Sequence, residues 1–415
     1  MPSRFQKIAV IGLGYVGLPT AAVLESRGVD VLGVDINSAS VELINQGKIH
    51  IEEPDLDVMV QGAVTAGRLR ASDKPETADA FIVSVPTPFK NDHEPDLDAI
   101  EQAAQTLAPV LEKGNIVVLE STVPVGTTEK LSQWLAALRT DLIFPHEKNK
   151  TPDISIAHSP ERVLPGRVLL ELVDNDRVVG GLTPECAKQA AALYKLFVQG
   201  ECHLTDAWTA ELVKLSENAY RDVNIAFANE LSNVSDALGI NVWDVVRLAN
   251  RHPRVNILKP GPGVGGHCIA VDPWFIVSSA PGESELIRTA RTINDAKPDA
   301  VVRQVLEAFK SSNASHVACL GLSYKADIDD LRESPAVEIV GKLAGSGLSC
   351  LVVEPHVDVL PPELQNIDKI QLVAIESALA KSDIIILLVD HSTFRSISES
   401  QRDGKTVIDT RGFWQ

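Results

Sequence analysis

The chain lacks any apolar run approaching the roughly 20 residues of a bilayer span; stretches such as 178–182 and 384–389 are short and flanked by charge. It also lacks a basic excess, because 38 Lys and Arg face 56 Asp and Glu for a formal net charge of -18. Such a field repels nucleic acid and acidic headgroups. No secretory h-region opens the sequence, which carries Arg4 and Lys7 and passes straight into a strand-turn pattern. The five cysteines, Cys186, Cys202, Cys268, Cys319 and Cys350, are odd in number and contain no CxxC pair, which argues against a disulfide scaffold. The adjacent pairs Cys202–His203 and His267–Cys268 lack four-ligand zinc spacing, so no metal is expected. These absences predict a cytoplasmic protein with no nucleic-acid or membrane partner. Aromatics make up only 5% of 415 residues, while hydrophobic residues reach 45%, a composition that suits an α/β protein of two or three domains.

The residues that are present repeat one pattern. From Lys7 a β-branched strand runs into close glycines, then a helical pattern over 18–27 and a second strand over 31–35; this is a βαβ unit. Further strands are expected at 80–85 and 116–120, with a helix over 97–111, making 1–200 a doubly wound Rossmann-like domain. Trp208, Leu212, Leu215, Ala219, Val223, Phe227 and Leu231 then recur at helical spacing without Gly or Pro. They predict a helix of about 50 Å over 205–238, followed by a second at 242–250. A Pro/Gly-rich loop at 260–266 leads to a helix expected to begin near His267. After Pro298 the opening pattern returns: a strand and turn at 317–323, a helix at 334–345, a strand at 350–354, and a last strand at 406–409. Asp383 precedes an apolar strand as Asp79 does. The expected fold is α/β, with Rossmann-like doubly wound domains at 1–200 and 301–415 joined by a long central helix and a helical middle domain at 201–300.

Gly12-Leu-Gly14-Tyr15-Val16-Gly17 sits between strand and helix. The first glycine permits the tight turn, the second admits a pyrophosphate, the third lets the helix pack closely, and the helix N-terminus meets the negative charge. Asp35 closes the following strand, where its carboxylate can accept both ribose hydroxyls and would repel a 2′-phosphate, so NAD is expected rather than NADP. The alternative is that Asp35 merely caps the next helix. The later turn reads Gly321-Leu-Ser323-Tyr-Lys325 and has lost the second and third glycines; a different phosphate-bearing ligand is expected there.

Three groups are candidates for chemistry. Cys268 follows Gly263-Val-Gly265-Gly266-His267, and at the start of a helix the unpaired amides would stabilise its thiolate. Lys214 and Asn218 lie four apart on the long helix and face the same way, as an oxyanion-stabilising pair or as an ordinary wet face. Glu161, in Ser159-Pro-Glu161-Arg162, is a candidate base for water or a solvated loop carboxylate.

These stretches together resemble the UDP-glucose/GDP-mannose dehydrogenase family over nearly the whole chain. The specific signs are Gly12 to Gly17, Val85-Pro-Thr87-Pro, Glu120-Ser-Thr122-Val-Pro-Val-Gly-Thr-Thr, Ser159-Pro-Glu161, Glu211-Leu-Val-Lys214-Leu-Ser-Glu-Asn218, the stretch from Gly263 to Asp272, and Lys325 through Arg332-Glu-Ser-Pro. The resemblance implies an NAD enzyme that oxidises the C6 alcohol of a nucleotide sugar to a uronate through two hydride transfers. It implies Cys268 as nucleophile, Lys214 and Asn218 as oxyanion stabilisers, Asp272 as an orienting carboxylate, Glu161 as the base for thioester hydrolysis, and Thr122 as a placer of water and cofactor. Tyr15, Val16, Thr87, Thr122, Lys325 and Arg332 join Gly12, Gly14, Gly17 and Asp35 as implied cofactor contacts. Glu161, Arg162, Val163, Leu164, Lys214, Asn218, Gly265, His267 and Lys325 are implied substrate contacts, with Arg254 reaching from the partner subunit of a homodimer. Within the family the chain most resembles the enzymes of UDP-N-acetyl-D-mannosamine, on Pro160-Glu-Arg-Val-Leu-Pro-Gly166, Arg221-Asp-Val-Asn-Ile-Ala-Phe-Ala-Asn-Glu230 and Asn250-Arg-His-Pro-Arg254-Val-Asn256; Gly-Gly-His267-Cys268 departs from the UDP-glucose pattern and is shared with the enzymes of the gluco and galacto sugars, which are the alternatives.

Overall fold

The computed structural model describes residues 4–90, 93–266, 268–312 and 314–415. They form two compact units, 1–217 with 274–281, and 218–273 with 282–415. The first unit contains strands β1 (Lys7–Ile11), β2 (Asp30–Val34), β3 (Leu69–Ser72), β4 (Ala80–Val83), β5 (Ile116–Leu119), β6 (Ser155–His158), β7 (Arg177–Gly181) and β8 (Cys202–Asp206). They form one sheet in the order β3-β2-β1-β4-β5-β6-β7-β8, parallel except where β6 meets β7. The second unit contains β9 (His316–Leu320), β10 (Ser349–Val353), β11 (Ile370–Leu372), β12 (Ile384–Leu387) and β13 (Thr406–Asp409), a parallel sheet in the order β11-β10-β9-β12-β13.

The central strands β4, β5 and β12 are apolar and buried at every position, as strands covered on both faces are, whereas the edge strands β3, β8, β11 and β13 carry polar, partly exposed residues. Ile8 and Val10 of β1 pack with Leu18, Ala21 and Leu24 of the first helix, whereas Ala9 and Ile11 pack on the opposite face with Ile100, Leu107, Leu131 and Leu135. The second sheet repeats this division: Val317 and Cys319 face Val305, Ile339 and Leu343, and Ala318 and Leu320 face Leu379 and Phe394. The expected pair of Rossmann-like domains, long helices and helical middle region are therefore present. In both sheets the strand order reverses beside the first strand, at β1/β4 and β9/β12, which are the positions where such sheets bind ligands.

Three expected helix boundaries move by two residues or more. The long helix runs Ala207–Leu238, because Thr205 is spent on the edge strand β8, which pairs with β7. The helix expected over 97–111 is α-helical only at Asp98–Leu107 and tightens to a 3-10 turn at Ala108–Val110, where Pro109 cannot donate to the i−4 carbonyl. The helix expected near His267, which itself lies outside the described residues, starts instead at Asp272 and runs to Ser279. Pro273 fits the first turn of a helix but not its interior. Among the described residues no helix is long and apolar enough to cross a membrane.

Candidate active site

Gly12 has φ +91°, and a Cβ there would stand 2.3 Å from the Ser84 carbonyl; a Cβ on Gly17 would stand 1.8 Å from the Gly12 carbonyl. At Gly14 nothing lies within 4 Å of that position. The first and third glycines are thus demanded by the turn itself, while the second leaves open space of the kind a pyrophosphate needs. Tyr15 is exposed and Val16 is the residue before the helix Gly17–Ser26. The Asp35 carboxylate accepts the Leu13 amide at 2.8 Å and the Asn37 amide at 2.8 Å. It does not cap the next helix: that position belongs to Asn37, which accepts from Ala39 and Ser40. The residues fit a dinucleotide, with Asp35 holding the glycine turn and keeping lone pairs for a ribose.

The second sheet carries the counterpart. Gly321 has φ +92° and its amide donates to the Val353 carbonyl at 2.8 Å, as the Gly12 amide donates to Val34 at 2.8 Å. Glu354 stands where Asp35 stands, accepting the amides of Leu322 at 2.6 Å and Ser323 at 3.2 Å. Unlike half-buried Asp35 it is buried, and a ribose is not its partner: His391 Nε2 lies 3.1 Å away. The Asp327 amide donates to His391 Nδ1 at 2.9 Å, which leaves the ring hydrogen on Nε2, facing Glu354. Burial pushes the Glu354 carboxyl up, but the bonds from His391 and Leu322 outweigh it and hold the carboxyl below its usual range. The bond to His391 leaves Glu354 without the partly exposed face that Asp35 keeps. Asp327, His356 and His391 form the one group among the described residues whose ligand atoms lie close enough for a metal, yet both His391 nitrogens are committed within the protein.

Within the first unit the structure brings Thr87 and Thr122 together, the Thr87 hydroxyl donating to the Thr122 carbonyl at 2.6 Å. Two motifs separate in sequence meet at Glu211: its buried carboxylate accepts the amides of Gly126 at 2.6 Å and Thr128 at 2.7 Å and the Thr128 hydroxyl at 2.6 Å. Burial pushes the Glu211 carboxyl up against these bonds. It fixes the start of the helix Thr127–Leu138 to the turn of the long helix that also carries Lys214. Glu161 is half-buried and accepts the Val163 amide, and Arg162 pairs with Glu217 at 2.7 Å. Val163 is half-buried and Leu164 exposed on the same loop. Where β5 ends, Glu120 is buried against Arg177 at 3.0 Å and the Tyr194 hydroxyl at 2.8 Å. Sequence reading found neither Arg177 nor Tyr194, because nothing in their spacing announces a partner more than fifty residues away.

In the second unit Asn218 and Asp272 meet, the Asn218 amide donating to the buried Asp272 carboxylate at 2.5 Å. Cys268 is exposed and precedes the helix rather than opening it. Its carbonyl accepts the amides of Val271 at 3.1 Å and Asp272 at 2.9 Å, so a turn, not a helix N-terminus, sets its place. The preceding loop is tight: a Cβ on Gly265 would stand 2.5 Å from the Glu333 carbonyl and 2.9 Å from the Tyr324 side chain. That brings the cysteine loop against the segment holding Lys325 and Arg332. Lys325 is exposed, and Arg332 pairs with Asp330 at 2.6 Å. Arg254 is exposed in a turn after the helix Val242–Ala249.

Residues 6–198, 208–296 and 318–415 match the NAD binding, central and UDP binding domains of the UDP-glucose/GDP-mannose dehydrogenase family. The chain is 59% identical over 411 residues to the NDP-N-acetyl-D-galactosaminuronic acid dehydrogenase of Ralstonia nicotianae, covering 99% of this chain and 96% of that protein. It is 57% identical over 401 residues to the UDP-N-acetyl-D-mannosamine dehydrogenase of Campylobacter jejuni, covering 96% and 98%. The solved structure of UDP-D-ManNAc dehydrogenase from Pyrococcus horikoshii superposes with a TM-score of 0.87 at 38% identity, covering 99% and 96%. The glycine turn with Asp35, the paired Asn218 and Asp272, and these whole-length likenesses have one reading: the chain belongs to the UDP-glucose/GDP-mannose dehydrogenase family and is an NAD-dependent nucleotide-sugar dehydrogenase.

Proposed function

We propose that the protein is a UDP-N-acetyl-D-mannosamine 6-dehydrogenase, producing UDP-N-acetyl-D-mannosaminuronate by a four-electron oxidation. The supporting observation is the whole-length likeness to mannosamine dehydrogenases in both sequence and structure. A second reading, oxidation of the N-acetyl-D-galactosamine sugar nucleotide, is favoured by the 59% identity to the Ralstonia galactosaminuronate enzyme. A panel of UDP-sugars followed by NADH release tests the two. The manno sugar is expected to give the highest kcat/KM and two NADH per sugar; faster turnover of the galacto or gluco isomer, or of UDP-glucose, would reject the substrate assignment.

NAD bound at the Gly12–Gly17 turn would supply the hydride acceptor, one molecule for each oxidation. The protein's residues do the rest. Lys214, directly or through water, takes the C6 hydroxyl proton as hydride leaves carbon, and Lys214 with Asn218 stabilises the oxyanion. Asp272, which accepts from the Asn218 side-chain amide nitrogen at 2.5 Å, aims that amide. Cys268 Sγ adds to the aldehyde; the thiohemiacetal loses a second hydride to become a thioester, and water, activated by Glu161 and placed by Thr122, releases the uronate and restores the thiol. Arg162, Val163, Leu164, Gly265, His267 and Lys325 are proposed to hold the sugar nucleotide. Tyr15, Val16, Thr87, Lys325 and Arg332 are proposed to border the cofactor.

Replacing Asp35 with Ala removes the proposed ribose acceptor and frees the Leu13 and Asn37 amides. The KM for NAD is expected to rise about tenfold or more, as for a lost charge-assisted hydrogen bond, with the order of preference among UDP-sugars unchanged. An unaltered KM for NAD would remove Asp35 from the cofactor site. We further propose a homodimer built on the long helix, with Arg254 serving the partner's site; Tyr220, Phe227 and Val234 are exposed at two-turn spacing along that helix, with Leu238 one turn further on. Sedimentation at a monomer mass would reject it.

A further inference from the structure

The loop between β6 and the helix Val168–Asp174 carries Glu161 to Arg167, and its backbone is held almost entirely by carboxylates. The Val163 amide donates to Glu161, and the Leu164 amide to Glu171 at 2.9 Å. The amides of Gly166 and Val168 donate to Glu53 at 2.8 Å and 2.7 Å, one to each carboxylate oxygen. Pro165 has no amide hydrogen, and the Arg167 amide returns to the Leu164 carbonyl at 3.0 Å. Every amide from 163 to 168 is therefore satisfied, and the far end of the loop hangs on one residue more than a hundred positions earlier.

Glu53 is buried, between Ile51 and the helix Leu56–Thr65. A buried carboxylate needs donors, and these two amides supply them. The arrangement also constrains the loop: two amides two residues apart can reach both oxygens of one carboxylate only in one local shape, and Gly166, at φ +86°, sits at the bend. Val163 and Leu164, the proposed sugar contacts, lie between this fork and the tie from Arg162 to Glu217. Shifting a binding surface by an ångström is enough to change which isomer fits.

We propose that Glu53 is a positioning residue that fixes the shape of the 163–167 loop and thereby sets selectivity among the N-acetylhexosamine isomers of the nucleotide sugar. The proposal rests on the substrate reading given above. Glu53→Gln keeps one acceptor oxygen but turns an amide donor toward a backbone donor; Glu53→Asp keeps the charge and draws it back, so that both amides are no longer reached.

The test pairs two measurements on the full-length enzyme. Hydrogen exchange is expected to quicken at least about tenfold at 163–168 in either variant, with little change in the glycine turn at 12–17. The ratio of kcat/KM between UDP-N-acetyl-D-mannosamine and UDP-N-acetyl-D-galactosamine is expected to fall about tenfold, carried by KM for the sugar, with KM for NAD within twofold of the parent. A merely structural carboxylate would lower the melting temperature and leave that ratio alone. Unchanged exchange at 163–168 overturns the clamp; quickened exchange with an unchanged ratio between the two sugars overturns the selectivity role. If the parent oxidises no UDP-N-acetylhexosamine, the substrate reading and the selectivity role fall together, while exchange still decides the clamp. Glu53→Asp serves where Glu53→Gln yields no folded protein.

Discussion

With Cys268 changed to Ala, the enzyme is expected to release at most an equilibrium-limited first NADH and to form uronate about a thousandfold more slowly than the parent, which should give two NADH per sugar. The substitution leaves the glycine turn, Asp35 and the bond between Asn218 and Asp272 in place, so the first oxidation, which needs no nucleophile, survives. The second needs a tetrahedral carbon that still carries a hydrogen, and the thiohemiacetal provides it. A hydrated aldehyde can also lose hydride, but it lacks the covalent hold and should contribute only a small remainder. Running the first step backward from the aldehyde with NADH separates the two half-reactions, and a thioester on the Cys268 peptide of the parent should be trapped by mass spectrometry. Two NADH per sugar at close to the parent rate in Cys268→Ala would remove the thiol from the chemistry. The position of Cys268 makes this a sharper test than a helix N-terminus would have, because its carbonyl anchors the turn into Asp272 and an alanine preserves that backbone bond.

The elements legible in the sequence are those whose signal is local. Gly12, Gly14 and Gly17 report their own turn, and strand β1 reads as apolar throughout because both its faces are covered. The repeat is legible too, since Gly321 and the strands around it come in the same order as Gly12 and its neighbours. The hidden features depend on pairing over distance. Glu354 ends the second strand of its repeat as Asp35 does, but that it accepts the amides of the glycine turn is visible only in the fold. Glu211 belongs to a recognisable motif, but its task requires Gly126 and Thr128 to arrive from 83 and more residues away. The start of the helix at Asp272 is obscured because the apolar density between Cys268 and Trp274 looks helical, whereas Pro273 belongs in a first turn and so sets the start beside itself. Glu53 gives no signal, since a carboxylate beside a proline looks like any loop residue until the amides it holds are known.

The largest stability effect is expected from Arg177→Met, and its size should depend on pH. Arg177 and Glu120 have side chains only 6% and 0% exposed and lie 3.0 Å apart; the guanidinium also stacks over Tyr194 at 4.5 Å. Methionine keeps much of the volume but leaves the Glu120 carboxylate buried without its countercharge. Breaking a buried pair from one side costs about 3–5 kcal/mol, on the order of 10 °C in melting temperature for a unit of this size. Burial already pushes the Glu120 carboxyl up, against the opposing pull of Arg177 and Tyr194, and removing Arg177 pushes it further. A carboxyl raised in the folded state above its unfolded value keeps its stability contribution below the unfolded value and loses it as pH rises through the folded one. In the variant a protonated Glu120 beside methionine is tolerable at low pH, and as pH rises above the unfolded value folding must either take up a proton or bury an unpaired charge. Urea unfolding should therefore show a small deficit relative to the parent at pH 5 and the full deficit at pH 8. Pairing Arg177→Met with Glu120→Gln removes the titrating group, so that the double variant should recover part of the loss at pH 8 and show no added pH dependence. Equal deficits at the two pH values, with no recovery in the double variant, would mean that Arg177 stabilises by packing on Tyr194 and Phe197 and not by neutralising Glu120.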